Sequence, residues 1–123
     1  MIVGELASTR EIVVPLTLYP TDGGEETIRA VIDTGFGSFL LLPPDTIRAL
    51  SLRQNGVGHV TLGDGSEATL PKYRARIRWD GRERIVPVYG ADGDPLVGMM
   101  LLYGFDFHVH VVDGGMVALN RLP

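Results

Sequence analysis

Five Asp-Gly dipeptides divide this chain of 123 residues, and most of them separate runs of β-branched or alternating residues. Asp and Gly tolerate the positive φ angles that tight hairpin turns require, so the dipeptide is a strong hairpin signal. The dipeptides begin at Asp22, Asp64, Asp80, Asp92 and Asp113. This turn chemistry predicts a chain built mainly from short antiparallel strands.

Three hairpins are predicted around these turns. In the clearest one, apolar residues between Tyr73 and Trp79 alternate with basic residues between Lys72 and Arg78, the pattern of a half-buried strand. Because the chain is acidic overall, nucleic-acid binding is a poor explanation for these basic residues. We therefore predict that they lie on the solvent face of the strand. Residues 84–89 return after Asp80-Gly81. The other predicted pairs are 11–19 with 26–32, and 107–112 with 116–120.

Helical signals are confined to two short segments. Pro43-Pro44-Asp45 precedes apolar residues at helical spacing, and 99–103 follow a glycine. The remaining residues read as strands and turns, which is typical of a compact β-barrel or sandwich. We therefore predict an all-β fold with one or two short helices, formed by residues 1–123 as a single domain.

Composition and charge exclude several function classes. The chain has no cysteine, which excludes disulfides, thiolate metal sites and a thiol nucleophile. Its net charge of −4 disfavours nucleic acid and anionic membranes as partners. The first residues lack a basic, apolar leader, and no apolar run approaches the roughly 20 residues of a membrane helix. We therefore expect a cytoplasmic protein.

The candidate catalytic group is Asp33, in the tripeptide Asp33-Thr34-Gly35. The tripeptide follows the apolar run 28–32 and precedes the apolar run 39–42. A carboxylate at the end of a strand lies on a loop whose two sides are fixed by buried segments. Catalytic groups are often found on loops of this kind. On its own, the tripeptide is more typical of a plain tight turn than of a catalytic site.

Two later segments give the tripeptide a context. Residues 59–70 form a predicted hairpin with a glycine-rich tip, and Leu96-Val97-Gly98 precedes the second helical segment. This ordered set resembles the retropepsin-like aspartic peptidases, and in particular small bacterial members whose motif reads Asp-Thr-Gly-Phe. The resemblance extends over about residues 11–122.

The resemblance implies a closed retropepsin-like barrel in which each subunit of a homodimer supplies half of the active site. Asp33 would be catalytic, Thr34 would brace the two loops across the axis, and Gly35 would accept hydrogen bonds from the substrate backbone. The tip of the hairpin would act as a flap over a peptide or protein substrate. Terminal segments 1–6 and 117–122 would pair between subunits. The implied substrate-binding residues are Phe36, Gly63, Asp64, Gly65, Leu96 and Val97.

The sequence departs from the viral members of the family at three positions. Phe36 stands where they place a small residue, although Phe is the rule in the bacterial subgroup. Gly37 and Met99 replace an Asp and an Arg that form an ion pair in the viral members. Both partners of that pair are therefore missing together, so neither charge is left alone.

The chemistry that the resemblance implies needs neither a metal nor another cofactor. Two adjacent carboxylates share one proton, so one activates a water molecule while the other polarises the scissile carbonyl. The alternative is a catalytically silent peptide-binding or assembly module with the same fold. Asp106, His108 and His110 alternate like zinc ligands. A solvated strand face explains them better.

Overall fold

The computed structural model describes residues 1–123 and contains ten strands and two short helices. The helices are α1 (Pro44–Ala49) and α2 (Met99–Leu102). A mostly β fold with one or two short helices is therefore confirmed. Neither helix is long and apolar enough to cross a membrane. The strands are β1 (Ile2–Leu6), β2 (Ile12–Tyr19), β3 (Glu26–Ile32), β4 (Leu40–Leu42), β5 (Gly56–Thr61), β6 (Glu67–Trp79), β7 (Arg82–Gly90), β8 (Leu96–Val97), β9 (Phe105–Val109) and β10 (Met116–Arg121).

Six strands close into a barrel in the order β2, β3, β8, β4, β7, β6. The ring closes because β6 also pairs with β2, with Leu18 opposite Ile77. β5 extends the sheet beyond β6, and β1, β10 and β9 extend it beyond β2. The closed barrel agrees with the predicted fold. Since a closed ring has no free edge, the sheet ends only at β5 and β9.

The predicted hairpins form where the turn chemistry placed them. Asp80 and Gly81 have φ angles of 51° and 74°, the positive values that a two-residue turn between twisted strands requires. They join β6 to β7 with Trp79 opposite Arg82. Asp92-Gly93 is the exception. It connects β7 to β8, which do not pair with each other, so the dipeptide forms a loop there.

The last hairpin is shifted relative to its prediction. β9 begins at Phe105 and ends at Val109, because it follows β10 as far as Arg121. The His110 N–H bonds to the Met116 carbonyl at 2.8 Å and closes the ladder, so Val111 and Val112 belong to the turn. The exposed, solvated face that we predicted for Asp106, His108 and His110 is confirmed.

The terminal strands pair within one chain. β1 lies between β2 and β10, and β10 lies between β1 and β9. Ile2 is opposite Leu119, and Glu5 is opposite both Met116 and Val13. The expectation that the terminal segments pair between subunits is therefore wrong for this fold, since each is already used inside the subunit.

The core fills the barrel and continues beneath α2. On β6, Ala75, Ile77 and Trp79 are buried while the intervening arginines are exposed, which confirms the predicted solvent face of the basic residues. Trp79 donates its Nε1–H to the Leu101 carbonyl at 3.0 Å, and its ring meets Phe105 edge-on at 6.2 Å. This buried hydrogen bond ties the barrel to α2.

Asp80 joins the β6–β7 turn to the terminal strands. The Met1 ammonium lies 2.7 Å from the Asp80 carboxylate and the Arg121 guanidinium 3.3 Å from it. The pKa of Asp80 lies below its ordinary value of 3.8, chiefly because of the hydrogen bond from the Met1 ammonium and to a smaller extent because of Arg121. A carboxylate with a lowered folded-state pKa stabilises the fold above its unfolded pKa and loses that contribution as the pH falls.

We expect Asp80→Asn to lower the free energy of unfolding near neutral pH, because it removes the charge that both cations contact. The substitution suits the turn, since Asn also tolerates positive φ. The difference from wild type should shrink as the pH falls from 3.8 toward the lowered pKa of folded Asp80, because protonation removes the same charge in wild type. Urea unfolding across this range measures both effects. Asp22→Asn, in a turn without an ion pair, is the control, and a pH-independent loss at Asp80 would contradict the assignment.

Candidate active site

The backbone of Asp33 is fixed by a parallel strand pairing. Val31 and Ile32 of β3 lie beside Leu96 and Val97 of β8. The Asp33 N–H continues this ladder and donates to the Val97 carbonyl at 2.9 Å. The carboxylate therefore starts from a backbone position that the barrel itself determines.

The Asp33-Thr34-Gly35 segment also forms a tight turn. The Gly35 N–H donates to Oδ1 of Asp33 at 2.9 Å, and the Phe36 N–H donates to the Asp33 carbonyl at 3.1 Å. Asp33 is half-buried, and its Oδ2 makes no hydrogen bond within the chain. The turn and the candidate catalytic role are thus compatible, because the turn orients one carboxylate oxygen and leaves the other available.

The loop after Asp33 crosses directly over Gly98. The Gly98 N–H donates to the Phe39 carbonyl at 2.9 Å, and the Met99 N–H donates to the Phe36 carbonyl at 2.8 Å. A Cβ atom at Gly98 would overlap the Ser38 carbonyl oxygen and lie 2.7 Å from the Phe36 carbonyl oxygen. Only glycine allows the two segments to approach this closely.

The β5–β6 hairpin forms the opposite wall. At its tip the Leu62 N–H bonds to the Ser66 carbonyl at 2.7 Å, and Gly65 has a φ of 85°. Oδ1 of Asp64 accepts the Ser66 hydroxyl at 2.6 Å and the Ser66 N–H at 2.9 Å. These hydrogen bonds lower the pKa of Asp64 from its ordinary value of 3.8, and the bond from the Ser66 hydroxyl has the larger effect. The tip therefore has a defined turn although it is exposed.

Phe36 connects the Asp33 loop to the hairpin. Its side chain is buried in a small cluster with Leu41 of β4 and Val60 of β5. This cluster is separate from the main core of the barrel. Phe36 therefore supports the floor of the space between the loop and the hairpin.

A cleft with two adjoining compartments lies between the loop and the hairpin. The compartments share Gly35, Phe36, Val60 and Thr61 as lining residues. Asp33 is the only acidic residue that lines either of them. The larger compartment, about 350 Å³, is also lined by Gly37, Ser38, His59 and Tyr89. The smaller, about 100 Å³, is also lined by Asp33, Leu41, Leu62, Gly63 and Leu96.

The structure gathers some of the predicted site residues and separates others. The smaller compartment brings together Asp33, Gly35, Phe36, Gly63 and Leu96.

Four other predicted residues lie outside this compartment. Thr34 is exposed on the loop, and Asp64 and Gly65 are exposed at the hairpin tip. Val97 is fully buried, so its side chain offers no surface to a substrate. Val97 instead acts through its backbone carbonyl, which accepts the hydrogen bond from the Asp33 N–H.

Sequence reasoning missed several residues that line the cleft. His59 and Thr61 flank the predicted hairpin tip, so their neighbourhood was visible in the sequence. The Nδ1 atom of His59 lies 3.1 Å from the Thr69 hydroxyl across the hairpin. Leu41 and Tyr89 meet through the parallel β4–β7 pairing, which no local pattern signals.

Comparisons with known proteins support the fold at low sequence identity. Neither a protein-family model nor a curated protein matches the chain. Among solved structures it is similar to a retropepsin-like aspartic protease from Rickettsia conorii, with a TM-score of 0.63 and 15% identity. The match covers 97% of this chain and 88% of the Rickettsia chain. The chain therefore has a retropepsin-like fold.

We expect Gly98→Ala to lower the free energy of unfolding by about 1–3 kcal/mol, the usual cost of overpacking. The new methyl group meets two backbone carbonyls, which cannot rotate away as a side chain would. Chemical denaturation measures the loss. Gly37→Ala in the same loop is the matched control, because its Cβ would meet nothing within 4 Å. It should change stability by less than about 0.5 kcal/mol. Equal losses at the two positions would refute the crossing as a packing constraint.

Proposed function

We propose that the protein is an aspartic endopeptidase in which Asp33 and its symmetry mate activate the water that hydrolyses a peptide bond. The observation that carries the proposal is the position of Asp33. Within a retropepsin-like fold, it is the one acidic residue lining a cleft between a loop held by backbone hydrogen bonds and a hairpin. The Asp-Thr-Gly-Phe motif supports assignment to the small bacterial subgroup, and we expect a cytoplasmic location.

A homodimer supplies the second carboxylate. Each chain brings one carboxylate to the cleft, whereas this chemistry needs both an acid and a base. Thr34 and Gly35 are exposed on the loop that carries Asp33, so a second copy has room to approach it. A two-fold axis beside the loop brings equivalent groups together, and this is the commonest symmetry of small oligomers.

The catalytic step follows from the shared proton. The ionised carboxylate takes a proton from the water as its oxygen attacks the scissile carbonyl carbon. The protonated carboxyl donates its proton to the carbonyl oxygen, which becomes a hydroxyl of the tetrahedral intermediate. The carboxyl that took the proton from water then donates it to the amide nitrogen, while the other carboxylate takes a hydroxyl proton from the intermediate. The C–N bond breaks, the carbonyl re-forms, and the pair again holds one proton.

The lining of the smaller compartment favours a hydrophobic side chain next to the scissile bond. Leu41, Leu62 and Leu96 surround the space beside Asp33, together with Phe36 and Val60. Apolar walls with few polar groups are typical of small binding pockets. An extended peptide would lie between the loop and the hairpin, and the glycine-rich tip of the hairpin would close over it as a flap.

Asp33→Asn should reduce cleavage of a mixed peptide library by about 10²–10⁴-fold, the usual contribution of a general acid or base. Asparagine keeps the size and the Oδ1 hydrogen bond of Asp33 but cannot take up a proton from water. Asp22→Asn makes the same chemical change in a distant turn and should retain activity. The assay covers acid to neutral pH at high protein concentration. Absence of cleavage by wild type, together with peptide binding, would favour the peptide-binding module instead.

Mixing wild type with Asp33→Asn tests whether two chains share one site. At equal amounts, random pairing leaves about one quarter of the dimers with two wild-type subunits. We therefore expect the activity per wild-type chain to fall to about half after the subunits exchange. Asp22→Asn, mixed in the same way, is itself active and should leave the activity per total chain unchanged. A site contained in one chain would instead leave the activity per wild-type chain unchanged when Asp33→Asn is added.

A further inference from the structure

The sheet outside the barrel ends at β9, whose outer side has no strand beside it. Stable monomers usually protect edge strands with proline, charged side chains or a bulge. β9 reads Phe-Asp-Phe-His-Val, without proline or lysine, and its one carboxylate, Asp106, lies on the solvent face beside His108. Its outer edge is therefore open to another strand.

The hydrogen bonds of β9 show which backbone groups face outward. The His110 N–H donates to Met116, and the Leu122 N–H donates to Gly104, at 2.8 and 2.9 Å. Both bonds involve even-numbered residues of the β9 segment. Because antiparallel strands alternate between bonded and non-bonded pairs, the N–H and C=O groups of Phe105, Phe107 and Val109 face the open edge.

The side chains of β9 separate into two faces. The two aromatic residues and Val109 pack against the core. Asp106 and His108 are 51% and 63% exposed, and their side chains lie 3.3 Å apart on the solvent face. An imidazole N–H donates to a carboxylate in either protonation state of the ring. The strand thus presents an acceptor and a donor two residues apart.

We propose that β9 pairs antiparallel with β9 of a second copy, with Phe107 on the two-fold axis. Phe107 then exchanges backbone hydrogen bonds with its own mate, and Phe105 does so with Val109 of the second copy. Asp106 falls opposite His108 of the second copy in a non-bonded pair, where side chains approach most closely. This inference rests on the proposed dimeric peptidase and identifies the surface that joins its two half-sites.

The extent of β9 and the position of its carboxylate select this register over its neighbours. Moving the strands by the smallest step that keeps the backbone bonds places either Asp106 or His108 opposite its own mate. Two aspartates directly opposite each other destabilise a strand pair. Centring on His108 sets Asp106 opposite His110, which lies beyond the end of β9. The register centred on Phe107 instead forms both Asp106–His108 pairs within β9 and pairs all five of its residues.

The open edge is continuous with the candidate active site. The Met99 N–H is bonded to the Phe36 carbonyl of the Asp33 loop, and α2 leads from there to β9. Between the two, Met99, Met100 and Tyr103 are exposed by 44%, 44% and 84%. Exposed apolar surface of this kind is typical of an interaction site. A second copy that covers it would bring the two Asp33 loops into the same interface.

Sedimentation equilibrium on single and double variants tests the register. His108→Asp puts aspartates opposite each other and should raise the dimer dissociation constant about tenfold, through two symmetry-related pairs. The exchange Asp106→His with His108→Asp restores both Asp–His pairs and should restore wild-type affinity. His110→Asp makes the same charge change on the same face but lies beyond the paired residues, so it should leave the dimer unchanged.

Val109→Pro provides a second test that spares the fold. It removes an N–H that faces the open edge, while the bond between His110 and Met116 is kept. Dimerisation should weaken at least tenfold relative to Val109→Ala, which also loses the core contact of Val109 but keeps the N–H. Wild-type dimerisation in both His108→Asp and Val109→Pro, or a larger loss in His110→Asp than in His108→Asp, would overturn the proposal. Peptide cleavage by a dimer that these variants do not weaken would leave the proposed peptidase standing without this interface.

Discussion

The crossing of the Asp33 loop over Gly98 is the constraint on which the rest of the site depends. β3 and β8 run parallel, so the chain must leave β3, form the loop and return much later to lie beside it. The Asp33 amide bonds to Val97, and the following loop carbonyls receive the amides of Gly98 and Met99. Every one of these contacts joins backbone to backbone. The closed barrel therefore places the backbone that carries the carboxylate, and the Gly35 N–H orients the carboxylate itself.

The same crossing connects the hairpin wall of the cleft, the Asp33 loop and the proposed subunit interface. Phe36 leaves the loop on one side and packs under the β5–β6 hairpin, which forms the far wall of the cleft. Met99 leaves on the other side and begins α2, which leads to β9. Substrate binding, catalysis and subunit pairing would thus share one rigid element. A disturbance at Gly98 should affect all three, whereas a change at the exposed hairpin tip should affect the cleft alone.

Local chemistry explains how much of the fold the sequence could predict. The hairpin at Asp80-Gly81 was predictable because two adjacent residues set the turn and the alternation from Lys72 to Trp79 sets the register. The parallel β3–β8 and β4–β7 pairings join residues far apart in the chain, and no local pattern records them. For that reason Leu41 and Tyr89 were missed as cleft residues, and Val97 was assigned to the substrate although it is buried. Pairing of the terminal strands inside the subunit was missed for the same reason.

In the proposed mechanism, two Asp33 loops, one from each copy, form a single catalytic site. The most direct measurement is the binding stoichiometry of a peptide whose scissile amide is replaced by a non-cleavable, hydroxyl-bearing isostere. Such a group takes the place of the attacked carbonyl and contacts both carboxyls of a shared site. Isothermal titration calorimetry should give one peptide for every two chains, with binding lost in Asp33→Asn. One peptide for every chain, bound equally well by Asp33→Asn, would contradict the account.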